Sequence, residues 1–126
     1  MKLIFLPNDF SVCSLAEIPK VLPKGLFFLG RTNDEISLVC ETAVCPKNTL
    51  AREEGWVAFK VDGTLDFSLV GILEGIAKCL AEEGISLFAL STYKTDYVLV
   101  KKEQAKKAEN ALRQKGYAVD AYATEV

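Results

Sequence analysis

Two stretches hold the residues best suited to chemistry. Asp66, Phe67, Ser68 and Leu69 stand where an apolar helical pattern begins, and Thr92, Tyr93, Lys94, Thr95 and Asp96 form a polar connection between two apolar runs. A helix start leaves backbone N–H groups without intrahelical acceptors, so the amides of Phe67, Ser68 and Leu69 favour a carboxylate. That effect supplies roughly 0.3–2 kcal/mol. A ligand ammonium needs an acceptor, and Asp96 is the best one on the hairpin's far side. Backbone groups at a strand edge, Ser86 and Leu87, complete such a shell. The pattern fits noncovalent capture of a small zwitterion at micromolar to millimolar affinity, about −8 to −4 kcal/mol. Each residue also has a plainer structural reading. Asp66 caps its helix, Asp96 opens a strand after a turn, and Thr92 and Thr95 are ordinary loop residues.

The residue types needed for catalysis are sparse. The chain has no histidine, and its four cysteines (Cys13, Cys40, Cys45 and Cys79) contain no C-x-x-C pair. Zinc sites favour close Cys/His pairs, so no metal and no cofactor is expected. Cys13, Cys40 and Cys79 lie in apolar patterns, where a free thiol behaves as a small hydrophobe. Cys45, beside Pro46, is the more exposed of the four. A thiol nucleophile without a histidine would have to use a lysine or a helix end. No enzyme is expected.

The 126 residues make one domain or two very small ones, long enough to bury about two-thirds of the unfolded surface. Half are apolar and a quarter charged, an ordinary globular composition. The formal net charge of −2 argues against a nucleic-acid or anionic-membrane surface. Lys101, Lys102, Lys106 and Lys107 cluster, but Glu103 and Glu109 interleave with them and make a solvated helix face. MKLIFL is too short for a signal segment or a membrane span and reads as a first strand. A cytoplasmic protein is expected.

The elements that position the two stretches follow from periodicity. In the first half, residues 2–6 read as a strand ending at Pro7, and residues 10–15 as a second. Residues 16–24 contain Pro19 and Pro23 and allow at most a turn or two of helix. Residues 26–29 and 35–41 form a hairpin, with Ile36, Leu38 and Cys40 on one side. Pro46 is expected to open a short helix to about Glu53, and Gly55 to close this half.

In the second half, Val57, Phe59 and Val61 share one strand face. Gly63 supplies a turn, and Asp66 is the expected N-cap of a helix over residues 69–83. Ile72, Leu73, Ile76 and Leu80 make its stripe, and Gly84 sits at the expected C′ position. Residues 85–91 and 96–100 form the next hairpin. A helix over 103–115 follows, with Ala105, Ala108, Ala111 and Leu112 inward and Gly116 at its end. Residues 117–122 are the last strand. The order β-α-β-β-α-β over 56–122 is the ferredoxin-like plan, an α+β fold with an antiparallel sheet and both helices on one face. The first half repeats that order in abbreviated form, giving modules at 1–55 and 56–126.

At these residues the chain resembles a known family. GWVAFKVDGTLDFSLVGIL and ISLFALSTYKTDYVLV are similar to the ACT-domain family of amino-acid-binding regulatory modules. They look most like the branch with small bacterial tandem-ACT proteins and the animal cytosolic arginine sensors. The resemblance implies ACT modules in tandem, sheets paired side by side, and a free amino acid held near the first strand-to-helix turn. It also implies the contact residues. One wall is Ser86 and Leu87. The other is Asp66, Phe67, Ser68, Gly71 and Ile72 with Thr92, Tyr93, Lys94, Thr95 and Asp96. In the sensor branch the ligand lies between two modules of the second kind, so one such module per chain implies a homodimer. The expectation is thus an amino-acid sensor that acts through its dimer or a regulated protein partner. The alternatives are a structural or regulatory subunit without a metabolite and a small ferredoxin-like enzyme.

Overall fold

The computed structural model describes residues 1–63 and 71–121. In chain order the elements are β1 (Lys2–Leu15), β2 (Phe27–Arg31), β3 (Ile36–Glu41), β4 (Ala51–Val61), α1 (Ile72–Glu82), β5 (Leu87–Ser91), β6 (Asp96–Lys101), α2 (Ala105–Gln114) and β7 (Ala118–Ala121). Single 3-10 turns lie at Thr42–Val44 and Lys102–Gln104. The chain divides into two compact units, Asn8–Trp56 and Met1–Pro7 with Val57–Val126.

In the unit of residues 8–56, β2 and β3 form the expected hairpin, and β3 also pairs antiparallel with residues 10–15 of β1. Its core is Cys13, Leu15, Leu38 and Cys40, flanked by Phe27, Leu29, Ile36 and Cys45. The inward side expected for β3 is therefore the observed one. Two expectations fail here. The strand over residues 2–6 does not end at Pro7 but runs on into residues 10–15 as one element, β1. The pairing to β7 ends at Phe5 and that to β3 begins at Phe10, so Pro7 stands where a missing N–H breaks neither of these ladders. The helix expected over 46–53 does not form. Cys45 is extended at φ −67° and ψ 136°, as the ring of the following Pro46 favours. Residues from Ala51 are already strand, and Gly55 sits inside β4 at φ 87° rather than closing a module.

In the other unit the strand order is β7-β1-β4-β6-β5. The expected pairing of a self-contained, wholly antiparallel sheet over 56–122 needs correction. Residues 2–5 of β1 lie between β4 and β7, and they pair with β7 in parallel, with Leu3 opposite Val119 and Phe5 opposite Ala121. The alternation in MKLIFL explains the insertion. Leu3 is 1% exposed, and the Phe5 ring packs on Phe59 with centroids 5.3 Å apart. Val57, Phe59 and Val61, Ile76 and Leu80 of α1, and Ala108, Ala111 and Leu112 of α2 join them in one core.

Both helices end as their glycines predict. Gly84 N donates to Ala81 O at 2.9 Å and Ile85 N to Leu80 O at 3.0 Å. Gly116 N and Tyr117 N repeat the arrangement on Arg113 O and Leu112 O, each at 3.0 Å. These are Schellman ends, and each needs a residue at φ > 0; Gly84 and Gly116 sit at 71° and 97°. The start of α1 differs from expectation. The described helix begins at Ile72 with Gly71 at φ 81° as its N-cap, and Asp66, the expected cap, lies outside the described residues.

Candidate functional site

The site is built where β4 ends. Thr95 is 4% exposed, and its hydroxyl donates to Val61 O at 2.7 Å, tying the β5–β6 loop to the last residue of β4. The loop itself is closed by Thr92 N to Thr95 O at 2.8 Å, while Thr92 Oγ1 accepts from Thr95 N at 3.3 Å. Below it, Ser91 Oγ donates to Asp96 Oδ1 at 2.5 Å across the first registered pair of the hairpin. A polar loop so fixed makes a rigid wall. Between it and the chain leaving β4 is a crevice of about 520 Å³, lined by Lys60, Asp62, Gly63, Thr92, Tyr93, Lys94, Thr95 and Tyr97. Small-molecule sites run at about 300–1,000 Å³, so the crevice is of ligand size.

Its walls carry both signs of charge. Lys60 and Lys94 supply ammonium groups, Asp62 a carboxylate, and Tyr93 and Tyr97 hydroxyls. Gly63, at φ 87°, turns the chain out of the strand. The Asp62 charge also reaches Lys2, whose ammonium is held above its usual range mainly by its hydrogen bond and charge pairing with Asp120, and then by Asp62. Among the described residues no group of three or more His, Cys, Asp or Glu could hold a metal ion. The mixture suits binding of a small molecule bearing both charges better than proton or acyl transfer.

The structure separates the expected site residues into groups. Thr92, Tyr93, Lys94 and Thr95 line the crevice. Asp96 is not in the crevice lining; its Oδ1 accepts from Ser91 across the hairpin. Asp66, Phe67 and Ser68 lie outside the described residues. Gly71 and Ile72 are the cap and first residue of α1, and Leu69 also lies outside the described residues. Glu74 already places a carboxylate in that first turn, which occupies part of the helix end's preference for negative charge. Ser86 and Leu87 lie at the other end of β5. Leu87 pairs with Val100, whereas Ser91 pairs with Asp96 beside the crevice. Four strand steps, about 13 Å, divide Leu87 from Ser91, so one chain does not bring these two walls together.

Sequence reasoning missed Lys60, Asp62, Gly63 and Tyr97. The signal was present in two of them, since Asp-Gly directly after a strand marks a sharp turn. Gly75 also has a structural explanation. A Cβ there would meet the Tyr117 hydroxyl at 3.0 Å, and burial is the main cause that pushes the Tyr117 phenol up.

A larger cavity of about 760 Å³ lies within the unit of residues 8–56, between residues 15–24 and Val44, Pro46 and Asn48. Its walls come from an irregular segment, and Val21 there is 84% exposed. Its charged lining residues, Glu17, Lys20 and Lys24, all belong to that segment, and among the described residues no hydrogen-bonded loop fixes them as Thr95 fixes the other crevice.

Comparisons with known proteins identify the family and the fold. The family model described as ACT domain matches residues 51–114, which span β4 to the end of α2 and enclose the crevice. A protein of Agrobacterium tumefaciens is 28% identical, with 99% of this chain and 96% of that one covered at a TM-score of 0.87. A Vibrio cholerae protein described as a possible transport protein is 23% identical over 90% of this chain and 88% of its own, with a TM-score of 0.65. The regulatory subunit of aspartate kinase from Thermus thermophilus, in a ligand-free form, is 8% identical over 89% of this chain and 95% of its own, with a TM-score of 0.64. No curated protein matches the sequence.

Proposed function

Because this chain belongs to the ACT-domain family, we propose that it is a regulatory module that binds a free amino acid and carries out no catalysis of its own. The observation that carries this reading is the crevice of about 520 Å³ at the end of β4, whose lining brings together Lys60, Lys94 and Asp62. A zwitterion satisfies both signs at once. Its carboxylate meets the two ammonium groups and its ammonium meets Asp62, which lines the crevice where Asp96 does not. The fold shared with a regulatory subunit of aspartate kinase supports a module that reports on a metabolite.

The second wall of the site, Ser86 and Leu87, comes from another copy of the chain in this reading. Among the described residues, strand β5 ends the strand order with a strand neighbour on one side only, the kind of edge that accepts a second sheet. The working unit is then a cytoplasmic homodimer with two equivalent sites that acts on a protein partner, and not on nucleic acid. Among the described residues no helix is long and apolar enough to cross a membrane.

A panel of the twenty amino acids in a thermal-unfolding assay tests the proposal. A ligand at a hundred times its dissociation constant stabilises by about 2.7 kcal/mol, several degrees in a domain of this size. Asp62→Asn and Lys94→Ala should each remove that shift while leaving the unliganded midpoint nearly unchanged. If no amino acid moves the midpoint, the second reading takes over, a scaffolding module that pairs through β5. Thr95 and Asp96, both spent on internal hydrogen bonds, are the observations in its favour.

A further inference from the structure

Three of the four cysteines meet in the unit of residues 8–56. Cys13 on β1 and Cys45 after the first 3-10 turn share a hydrogen bond with their sulfurs 3.0 Å apart. Cys40 on β3 belongs to the same core. Arg52 stands beside them, with Nη2 donating to Pro46 O at 2.7 Å and Nη1 donating to Glu54 Oε2 at 2.9 Å. Neither the crevice nor the amino-acid reading uses any of these groups.

The three thiols are not equivalent. Cys13 and Cys40 are buried, while Cys45 is half-buried. Cys40 is backbone-paired on both sides, to Ser11 and Phe27, and Cys13 is backbone-paired to Leu38. Cys45 belongs to no strand and follows a single 3-10 turn, so its sulfur can close the distance of about 1 Å that separates contact from a covalent bond of about 2.05 Å. Burial, and then the neighbouring Cys45, push the Cys13 thiol up to about 12. Cys13 therefore keeps its proton at neutral pH and waits on an oxidised partner.

We propose that Cys13 and Cys45 form a peroxide-responsive dithiol that closes into a disulfide, with Cys45 oxidised first and Cys13 resolving it. The Cys45 thiolate attacks one oxygen of hydrogen peroxide, the O–O bond breaks, hydroxide leaves and Cys45 becomes a sulfenic acid. The Cys13 sulfur then attacks the Cys45 sulfur and the S–O bond breaks. The Cys13 proton departs with that oxygen as water. Two thiols lose two electrons and the peroxide is reduced to water. A dithiol reductant reverses the closure by exchange. The Arg52 guanidinium supplies positive charge next to the attacking sulfur, the setting in which thiolates are reactive.

Treating the full chain with hydrogen peroxide, blocking the remaining thiols and mapping peptides without reductant tests this. Cleavage after Glu41 separates Cys40 from Cys45. The expected result is loss of two thiols out of the four present, a Cys13–Cys45 linked peptide, and recovery of both thiols with dithiothreitol. Cys40→Ala should retain the link, and Cys45→Ser should abolish it with the unfolding midpoint little changed. A Cys40–Cys45 link, or oxidation of Cys45 to a sulfinic acid with no link in the folded wild-type chain, would overturn the proposal.

Discussion

The hairpins β2–β3 and β5–β6 are the same structure written twice, sixty residues apart. Phe27 pairs with Cys40 as Leu87 pairs with Val100, and Thr32 N bonds Glu35 O at 2.9 Å as Thr92 N bonds Thr95 O at 2.8 Å. Each hairpin leads into a three-residue 3-10 turn from an extended residue, Glu41 or Lys101. They then part. Ala105 is helical at φ −58° and ψ −43° and the chain continues into α2, whereas Cys45 is extended ahead of Pro46 and no helix follows. They also differ at the fourth loop position, where Thr95 is buried on Val61 O and Glu35 is exposed. One local change removes a helix and another removes a wall. Only the second hairpin borders the crevice with both signs of charge, so the site follows from what was added to the repeat rather than from the repeat.

The helix that one hairpin has and the other lacks gives the largest expected effect. Leu112 of α2 is fully buried, and Leu112→Ala should destabilise the protein by about 2–5 kcal/mol through lost burial and a residual cavity. Urea unfolding monitored by Trp56 fluorescence measures it. A loss below about 1 kcal/mol would mean that α2 is not what seals that core.

The cores can also be distinguished by pH. Cys40 stands where the other hairpin has Val100, and burial first, then Cys45, push its thiol up to about 12, as for Cys13. The ordinary thiol value is 9.0, so the unfolded chain releases these protons first. Folded-state stability from the two groups is fully present below pH 9 and is lost as pH rises towards about 12. Cys40→Val, which copies the second hairpin, should flatten that alkaline decline in a urea series. An unchanged decline would assign it to other groups.

Thr95 separates the loops themselves. Thr95→Val keeps the shape but leaves the Val61 carbonyl buried without its partner, a cost of about 1–3 kcal/mol. Glu35→Val in the exposed counterpart should stay within about 0.5 kcal/mol. Equal costs would show that the bond to β4 does not weld the second loop in place.

The same contrast explains which features were legible in the sequence. The two hairpins, the inner faces of β3, β4 and α2, and the glycine-ended helices all rest on short-range rules, and all are present. What was misread depends on partners distant in sequence or on competing local rules. The pairing of residues 2–5 with β7 joins residues more than a hundred apart. Pro46 was weighed as a helix opener, but its effect on Cys45 prevails. At α1 the expected start at Leu69 lies three residues ahead of the described one at Ile72, behind Gly71 at φ 81°. The crevice was half legible. Its hairpin side is a run of adjacent polar residues, whereas Lys60, Asp62 and Gly63 join it only because Thr95 pins the loop to Val61.

The smallest expected difference tests the repeat itself. Thr32 and Thr92 hold the same place, and each hydroxyl accepts from the backbone N–H three residues on, at 3.2 Å from Glu35 and 3.3 Å from Thr95. Removing either hydroxyl deletes a neutral hydrogen bond in a loop open to water, where solvent partly replaces it. Thr32→Ala and Thr92→Ala should therefore each cost about 0.5–1.5 kcal/mol, and the two costs should agree within the roughly 0.5 kcal/mol scatter of surface substitutions. Each threonine has one further bond: Thr32 Oγ1 also accepts from Asp34 N at 3.2 Å, and the Thr92 hydroxyl donates to Thr95 O at 3.1 Å. These further bonds offset one another, so neither substitution should cost clearly more than the other. A Thr92→Ala cost several times that of Thr32→Ala would mean that the second loop is held by its threonine pair, and that β5–β6 is no longer the same hairpin with an added wall.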